Sequence, residues 1–311
     1  MRLVRTSAPA PVPPVPTPAA AAGRPARPRA AGVVAMVGSG LSNQTGAAIG
    51  SLAFPVLGPA GVVAVRQYVA AFVLLAVGRP RLRAFTRRQW WPVLLLAVVF
   101  GTMNLSLYSA VDRVGLGLAV TLEFLGPLTI ALAAARRRAD ACCAVIAAVG
   151  VVTLMRPRPS ADYVGMGLGL LAAACWASYI LLNRTVGRRL PGAQGSAAAA
   201  GVSALLFLPV GVAVVLRHPP TATALACAVA AGVLSSAVPY LADLFTLRRV
   251  PAPAFGLFMS VNPVLAAAVG RVGLGQRLGW AEWAGIGAVV AANALSILGA
   301  RRPRAGRVRD R

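Results

Sequence analysis

Acidic residues are scarce in this 311-residue chain, which has 7 Asp and Glu, one His and no Lys against 31 Arg. The shortage removes most convergent catalytic sites, because general acid–base and nucleophilic chemistry need His, Asp or Glu gathered with a nucleophile. The single His218 has no paired-Asp motif to join, and Ser39 in Val37-Gly38-Ser39-Gly40 has no membrane His to activate it. The four cysteines (Cys142, Cys143, Cys175, Cys227) sit in apolar runs without C-x-x-C spacing, so they read as packing residues and neither a metal nor a redox cofactor is expected. A Walker A motif is also missing, and ATP is not the evident energy source. Gly165-x-Gly167-x-Gly169 lacks the strand and spacing of a nucleotide fingerprint and reads as close helix packing. These absences argue against an enzyme.

What the chain does have is apolar length. Hydrophobic residues make up 58% and charged ones 12%, with a mean hydropathy of +0.74, outside the globular range. A net charge of +24 would ordinarily suggest nucleic acid. The arginines, however, fall in short bursts between apolar stretches of roughly 20 residues, the length of a helix that crosses a bilayer. The expected partners are therefore membrane lipid and a small-molecule substrate, with no nucleic acid. Arginine without lysine reads as composition bias.

The fold class expected is an all-α polytopic membrane protein of ten transmembrane helices, at 33–53, 60–78, 90–110, 114–135, 140–155, 164–183, 196–216, 223–247, 252–270 and 281–299. The fifth is short, so Arg138 and Arg156 would have to snorkel or the bilayer thin. Residues 1–31 read as a disordered Pro/Ala/Arg tail, too long and Pro-rich for a signal peptide, and 301–311 as a second basic tail. With a cytoplasmic N-terminus, 24 arginines lie inside, 6 outside and Arg66 within a span. That split places the protein in the cell membrane with both termini cytoplasmic.

Shifted by 136 residues, the halves 32–156 and 164–300 look alike: Val114 falls on Val250, Pro127 on Pro263, and Leu116–Ala131 on Ala252–Ala267. Five helices separate the copies, so the second is inverted, an arrangement common in transporters with a midplane substrate site. Met103-Asn104-Leu105 with Tyr108, and the run from Gly117 to Leu128 containing Glu123, resemble the fourth-helix region of EamA-type drug/metabolite transporters. Ala173–Leu181, Ser235–Tyr240 and Phe255–Ser260 resemble that superfamily's sixth, eighth and ninth helices. Within it, the chain is most similar to bacterial threonine and homoserine exporters. The resemblance implies a secondary transporter that exports a small metabolite such as an amino acid by alternating access. It departs from the family pattern at Asn262 and Gln276, where a Glu is usual, and at Asp243, where Asp replaces Glu.

Three ionisable residues lie inside the expected spans, and each costs roughly 2.5–3.5 kcal/mol at mid-bilayer on insertion scales, so each should face protein or water. Glu123 precedes Pro127 by four residues, and the missing proline N–H frees the Glu123 carbonyl at a kink. Carboxylate and carbonyl together suit an ammonium group or a proton carrier; the plainer reading is a Glu that ties helices, for instance by pairing with Arg66. Arg66 either grips a substrate carboxylate or snorkels outward. Asp243 serves as a gate or pairs locally with Arg248 or Arg249. Trp176 and Tyr179 share a helix side and could wall a site. Asn104, Tyr240 and Asn262, with Asn43, Gln44, Gln67, Tyr108 and Ser260, could line a pore or glue helices. Pro127, Pro239 and Pro263 are the expected kinks. An uncoupled channel or scaffold is the alternative function.

Overall fold

The computed structural model describes residues 26–133, 138–155, 162–217, 219–239, 242 and 260–299. Among these there is no β-strand, and every long element is a helix. In chain order they are α1 (Ala26–Ser51), α2 (Phe54–Gly78), α3 (Arg87–Val114), α4 (Leu116–Glu123), α5 (Leu125–Ala133), α6 (Arg138–Met155), α7 (Tyr163–Arg189), α8 (Gln194–Arg217), α9 (Ala222–Gly232), α10 (Asn262–Gly273) and α11 (Trp280–Gly299). Helices α2, α3, α7 and α8 are each long and apolar enough to cross a membrane. Large apolar side chains such as Phe72, Leu205, Leu216 and Val272 point outward, as a lipid-facing surface requires. The protein is a multi-pass membrane protein.

The described helices overlap expected spans with shifted ends, while residues 240–241 and 243–259, which carry parts of the eighth and ninth expected spans, lie outside the described residues. Helix α1 starts at Ala26, inside the stretch read as a disordered tail. Helix α6 runs back to Arg138, and its 18 residues reach about 27 Å at 1.5 Å per residue, which relieves the shortness expected of the fifth span. The stretch read as one helix over 114–135 is broken into α4 and α5 by a turn at Phe124. That break lies three residues before Pro127, which sits in the first turn of α5, where its missing N–H costs least. Pro263 occupies the same place in α10, just after a turn at Ser260 and Val261. Shifted by 136, Phe124 falls on Ser260, so the turns that precede α5 and α10 lie at corresponding positions in the sequence.

Packing follows a paired scheme. Helix α2 lies along α8, α4 along α10 and α6 along α11; α3 packs on α7 and α1 on α9; α4 also touches α7, and α10 touches α1. Small residues permit these approaches. A Cβ on Gly126 would collide with the backbone carbonyl of Ala173, so α5 meets α7 only because that position is bare. The ends of the α3–α7 pair are fastened as well. At one end Arg113 pairs with Asp162 at 2.9 Å, while Asp162 also accepts from the N–H of Gly165 and caps α7. These contacts, the Gly165 N–H first and the Arg113 guanidinium next, hold the Asp162 carboxyl below the usual range. At the other end Gln89 donates to the carbonyl of Arg189, and Arg189 donates to that of Arg88.

Candidate functional site

Helix α9 changes its winding before it reaches the middle of the bundle. Val233–Ala237 form a π-helical segment, in which the N–H of Val238 reaches back five residues to the carbonyl of Val233. Pro239 follows and has no N–H for the carbonyl five back, Leu234, or four back, Ser235. Buried carbonyls need donors, and other helices supply them. Ser42 of α1 donates to Leu234 O at 2.8 Å, and Arg66 Nη2 of α2 donates to Ser235 O at 3.1 Å. The segment answers in kind: Ser235 Oγ donates to Asn43 O at 2.8 Å, and Ser236 Oγ accepts from Arg66 Nε at 3.3 Å. Gly46 makes room, because a Cβ there would strike Ser235 Oγ.

Arg66 is thereby fixed on one edge. Its guanidinium also lies over the ring of Tyr108, 5.0 Å from the centroid, an attractive cation–π arrangement. Tyr108 is buried against Phe54, and its hydroxyl has no hydrogen-bond partner among the described residues. The held edge leaves the other guanidinium N–H groups facing open space.

That space is a cavity of about 260 Å³ bounded by α1, α2, α3, α4, α7, the π segment and α10. It brings together Arg66, Asn104, Glu123, Trp176, Tyr179, Asn262 and Pro239, all singled out from the sequence. Asn43 and Gln44 line it too, and Gln44 Nε2 donates to Asn262 Oδ1 at 3.4 Å, which ties α1 to α10. Trp176 stands edge-on to Phe124, with centroids 4.6 Å apart, and Tyr179 lies beside Phe100. Glu123 projects from the last residue of α4, next to the break. The tie read between Glu123 and Arg66 does not form: among the described residues the one ion pair is Arg113–Asp162, and Arg66 turns to the serines of the π segment. Snorkelling of Arg66 to an interface is likewise not seen.

Other residues fall elsewhere. Gln67 bonds Ser203 of α8 and serves packing, while Pro127 and Pro263 start helices beside the cavity without lining it. Gln276 accepts from the N–H of Leu116 and caps α4. Asp243 and Tyr240 lie outside the described residues. Sequence reasoning missed Ser39, Phe100 and Met103 as lining residues, and gave Ser235 and Ser236 no role. The signal for the serines was present in Pro239, whose missing N–H had to leave carbonyls open nearby. No group of three metal-ligating side chains occurs among the described residues.

Comparisons with known proteins agree with this architecture. The model of the EamA-like transporter family matches residues 163–298. The threonine/homoserine exporter RhtA of Escherichia coli (strain K12) is 34% identical over 264 residues, covering 84% of this chain and 89% of the exporter. RhtA of Salmonella typhimurium (strain LT2) matches to the same extent. A solved protein crystal structure of 19% identity superposes with a TM-score of 0.59 over 88% of this chain and 98% of its own, which is a likeness of fold. The relatives are transporters and not enzymes. The chain belongs to the EamA-like transporter family.

Proposed function

We propose that this protein exports a small zwitterionic amino acid of the threonine or homoserine kind by alternating access. The observation that carries the proposal is the cavity itself, which places a carboxylate, Glu123, and a pre-oriented guanidinium, Arg66, among amides and aromatic walls. An α-amino acid needs such a pair. Its ammonium group fits beside Glu123 at the α4 break, and its carboxylate takes the free edge of Arg66, where two parallel N–H donors can be offered. Asn104, Asn262 and Gln44 are within the same space for a side-chain hydroxyl. The names of the similar exporters supply the substrate class, and the charge pair gives that class a physical basis.

Ten membrane helices in two inverted five-helix repeats fit the packing. Rotating one half onto the other exchanges α1 with α7, α3 with α9, and α4–α5 with the span ending in α10. Under that exchange the α3–α7 contact becomes α9–α1, and α4–α7 becomes α10–α1; both of these counterparts are present. The arginine distribution supports cytoplasmic termini, hence a cavity loaded from the arginine-rich side. Release of a proton by Glu123 as the ammonium group arrives is the coupling we favour.

Growth rescue tests the proposal. Cells expressing the protein should tolerate inhibitory threonine or homoserine that arrests cells without it, and Glu123→Ala should abolish the protection at equal expression. Equal growth of all three strains on every amino acid tried would remove amino-acid export as the function.

A further inference from the structure

The central cavity shares a wall with a second one, of about 210 Å³, and Arg66, Phe100, Tyr179 and Ser235 line both. Polar groups are divided unevenly between them. Glu123 and the amides of Gln44, Asn104 and Asn262 all face the central cavity. The second has Arg66 and serine hydroxyls, including Ser196 and Ser236, on walls of alanine and leucine. Its place in the bundle is also different. It lies along the later turns of α2 (Ala70, Leu74), the earlier turns of α3 (Leu96) and the start of α8 (Ser196, Ala199, Ala200). These are the helix ends next to the arginine clusters at 79–88 and 184–189.

We infer that the second cavity is an antechamber, a separate subsite in which the carboxylate of the substrate binds Arg66 before the packed rings of Phe100 and Tyr179 part and admit the molecule to the central cavity. The inference rests on the amino-acid reading above and adds a second binding position to it. A carboxylate leaving water needs a cation where it is first desolvated, and Arg66 is the one charged residue lining this compartment. Ser235 and Ser236 occupy one edge of the guanidinium, so its remaining N–H groups are available without a change of pose. The volume equals roughly seven waters at about 30 Å³ each, enough for a short-chain carboxylate. Beyond the Phe100–Tyr179 rings, whose centroids lie 6.0 Å apart, the next ionisable group is Glu123. A ligand without an ammonium group has nothing to pair with Glu123 and does not draw off its proton. Simple carboxylates should therefore occupy the antechamber and stop there, acting as inhibitors that are not transported.

Thiol protection tests this. Ser196→Cys is introduced with Cys142, Cys143, Cys175 and Cys227 replaced by serine, and its labelling by a membrane-impermeant methanethiosulfonate is timed in vesicles exposing the arginine-rich side. The probe is 3-hydroxybutyrate, which is threonine without its ammonium group. At twice its Kd it should slow labelling about threefold. The slowing should persist in Glu123→Gln, vanish in Arg66→Gln and weaken in Arg66→Lys, each scored as a ratio with and without probe in the same protein. The counterpart without a carboxylate, 1-amino-2-propanol, should leave the rate unchanged. Absence of protection, protection undiminished by both Arg66 variants, or protection by the amino alcohol overturns the antechamber. Threonine transport that continues without protection sinks this inference alone, and protection without amino-acid transport sinks the export reading instead.

Discussion

Replacing Arg66 by Lys keeps the charge and removes the planar fork. In the structure the fork makes two bonds to the π segment, Nη2 to Ser235 O at 3.1 Å and Nε to Ser236 Oγ at 3.3 Å, and stacks on Tyr108 at 5.0 Å. An ammonium group cannot hold both serine oxygens and still offer two parallel donors to a carboxylate. One charge-assisted hydrogen bond to substrate should be lost, and such a bond contributes about 1.5–3 kcal/mol. At ~1.4 kcal/mol per decade, KM should rise roughly 10- to 150-fold. Arg66→Gln, which removes the charge as well, should bring transport below detection. The assay is uptake of labelled threonine into everted vesicles, with KM and maximal rate separated and protein quantity matched. A Lys variant whose KM stays within a factor of about two would refute the assignment of the carboxylate to Arg66.

Other consequences are open to test. Pro239→Ala restores an N–H that competes for the carbonyls of Leu234 and Ser235; it should raise thermal stability in detergent while lowering the transport rate, and unchanged transport would mean the open carbonyls have no part in the cycle. Gly126→Val places side-chain atoms against Ala173 and should destabilise the protein by about 1–3 kcal/mol, read as a lowered midpoint of thermal aggregation. The Arg113–Asp162 fastening depends on a carboxylate whose pKa is depressed in the folded state. Its contribution is present above the ordinary Asp range and is lost as pH falls through the lower folded value. Melting should therefore become more acid-sensitive below about pH 4 in wild type than in Asp162→Asn, and parallel pH profiles would contradict this.

Much of the architecture was legible because lipid imposes a simple grammar. Apolar runs near 20 residues, punctuated by arginine, had to be helices, and those at 60–78, 90–110, 164–183 and 196–216 correspond to α2, α3, α7 and α8. Helix ends were less legible. Ala-rich sequence before residue 33 carries no stop signal, so α1 could begin at Ala26 despite the nearby arginines. The break in the 114–135 stretch was foreshadowed by Pro127, yet the turn fell at Phe124, since proline is tolerated in a helix's first turn and not in its interior. The candidate site was read well in its charges and poorly in its partners. Buried ionisable groups announce themselves by cost, which brought Glu123 and Arg66 forward. The partners of Arg66 lie about 170 residues away, and Pro239, the local signal of open carbonyls near Ser235, does not tell which helix supplies their donors. Gln276 illustrates the same limit: a side chain 160 residues from Leu116 caps the helix that carries Glu123.

The central claim is that Glu123 and Arg66 together bind a zwitterion in the α1–α4–α7–α10 cavity. Counterflow in proteoliposomes tests it most directly, with unlabelled threonine inside and labelled threonine outside. Wild type should accumulate label transiently and saturably, 3-hydroxybutyrate and 1-amino-2-propanol should fail to replace threonine inside, and Glu123→Gln should show no accumulation. Equal counterflow by Glu123→Gln, or exchange driven as well by a compound lacking either charged group, would contradict the account.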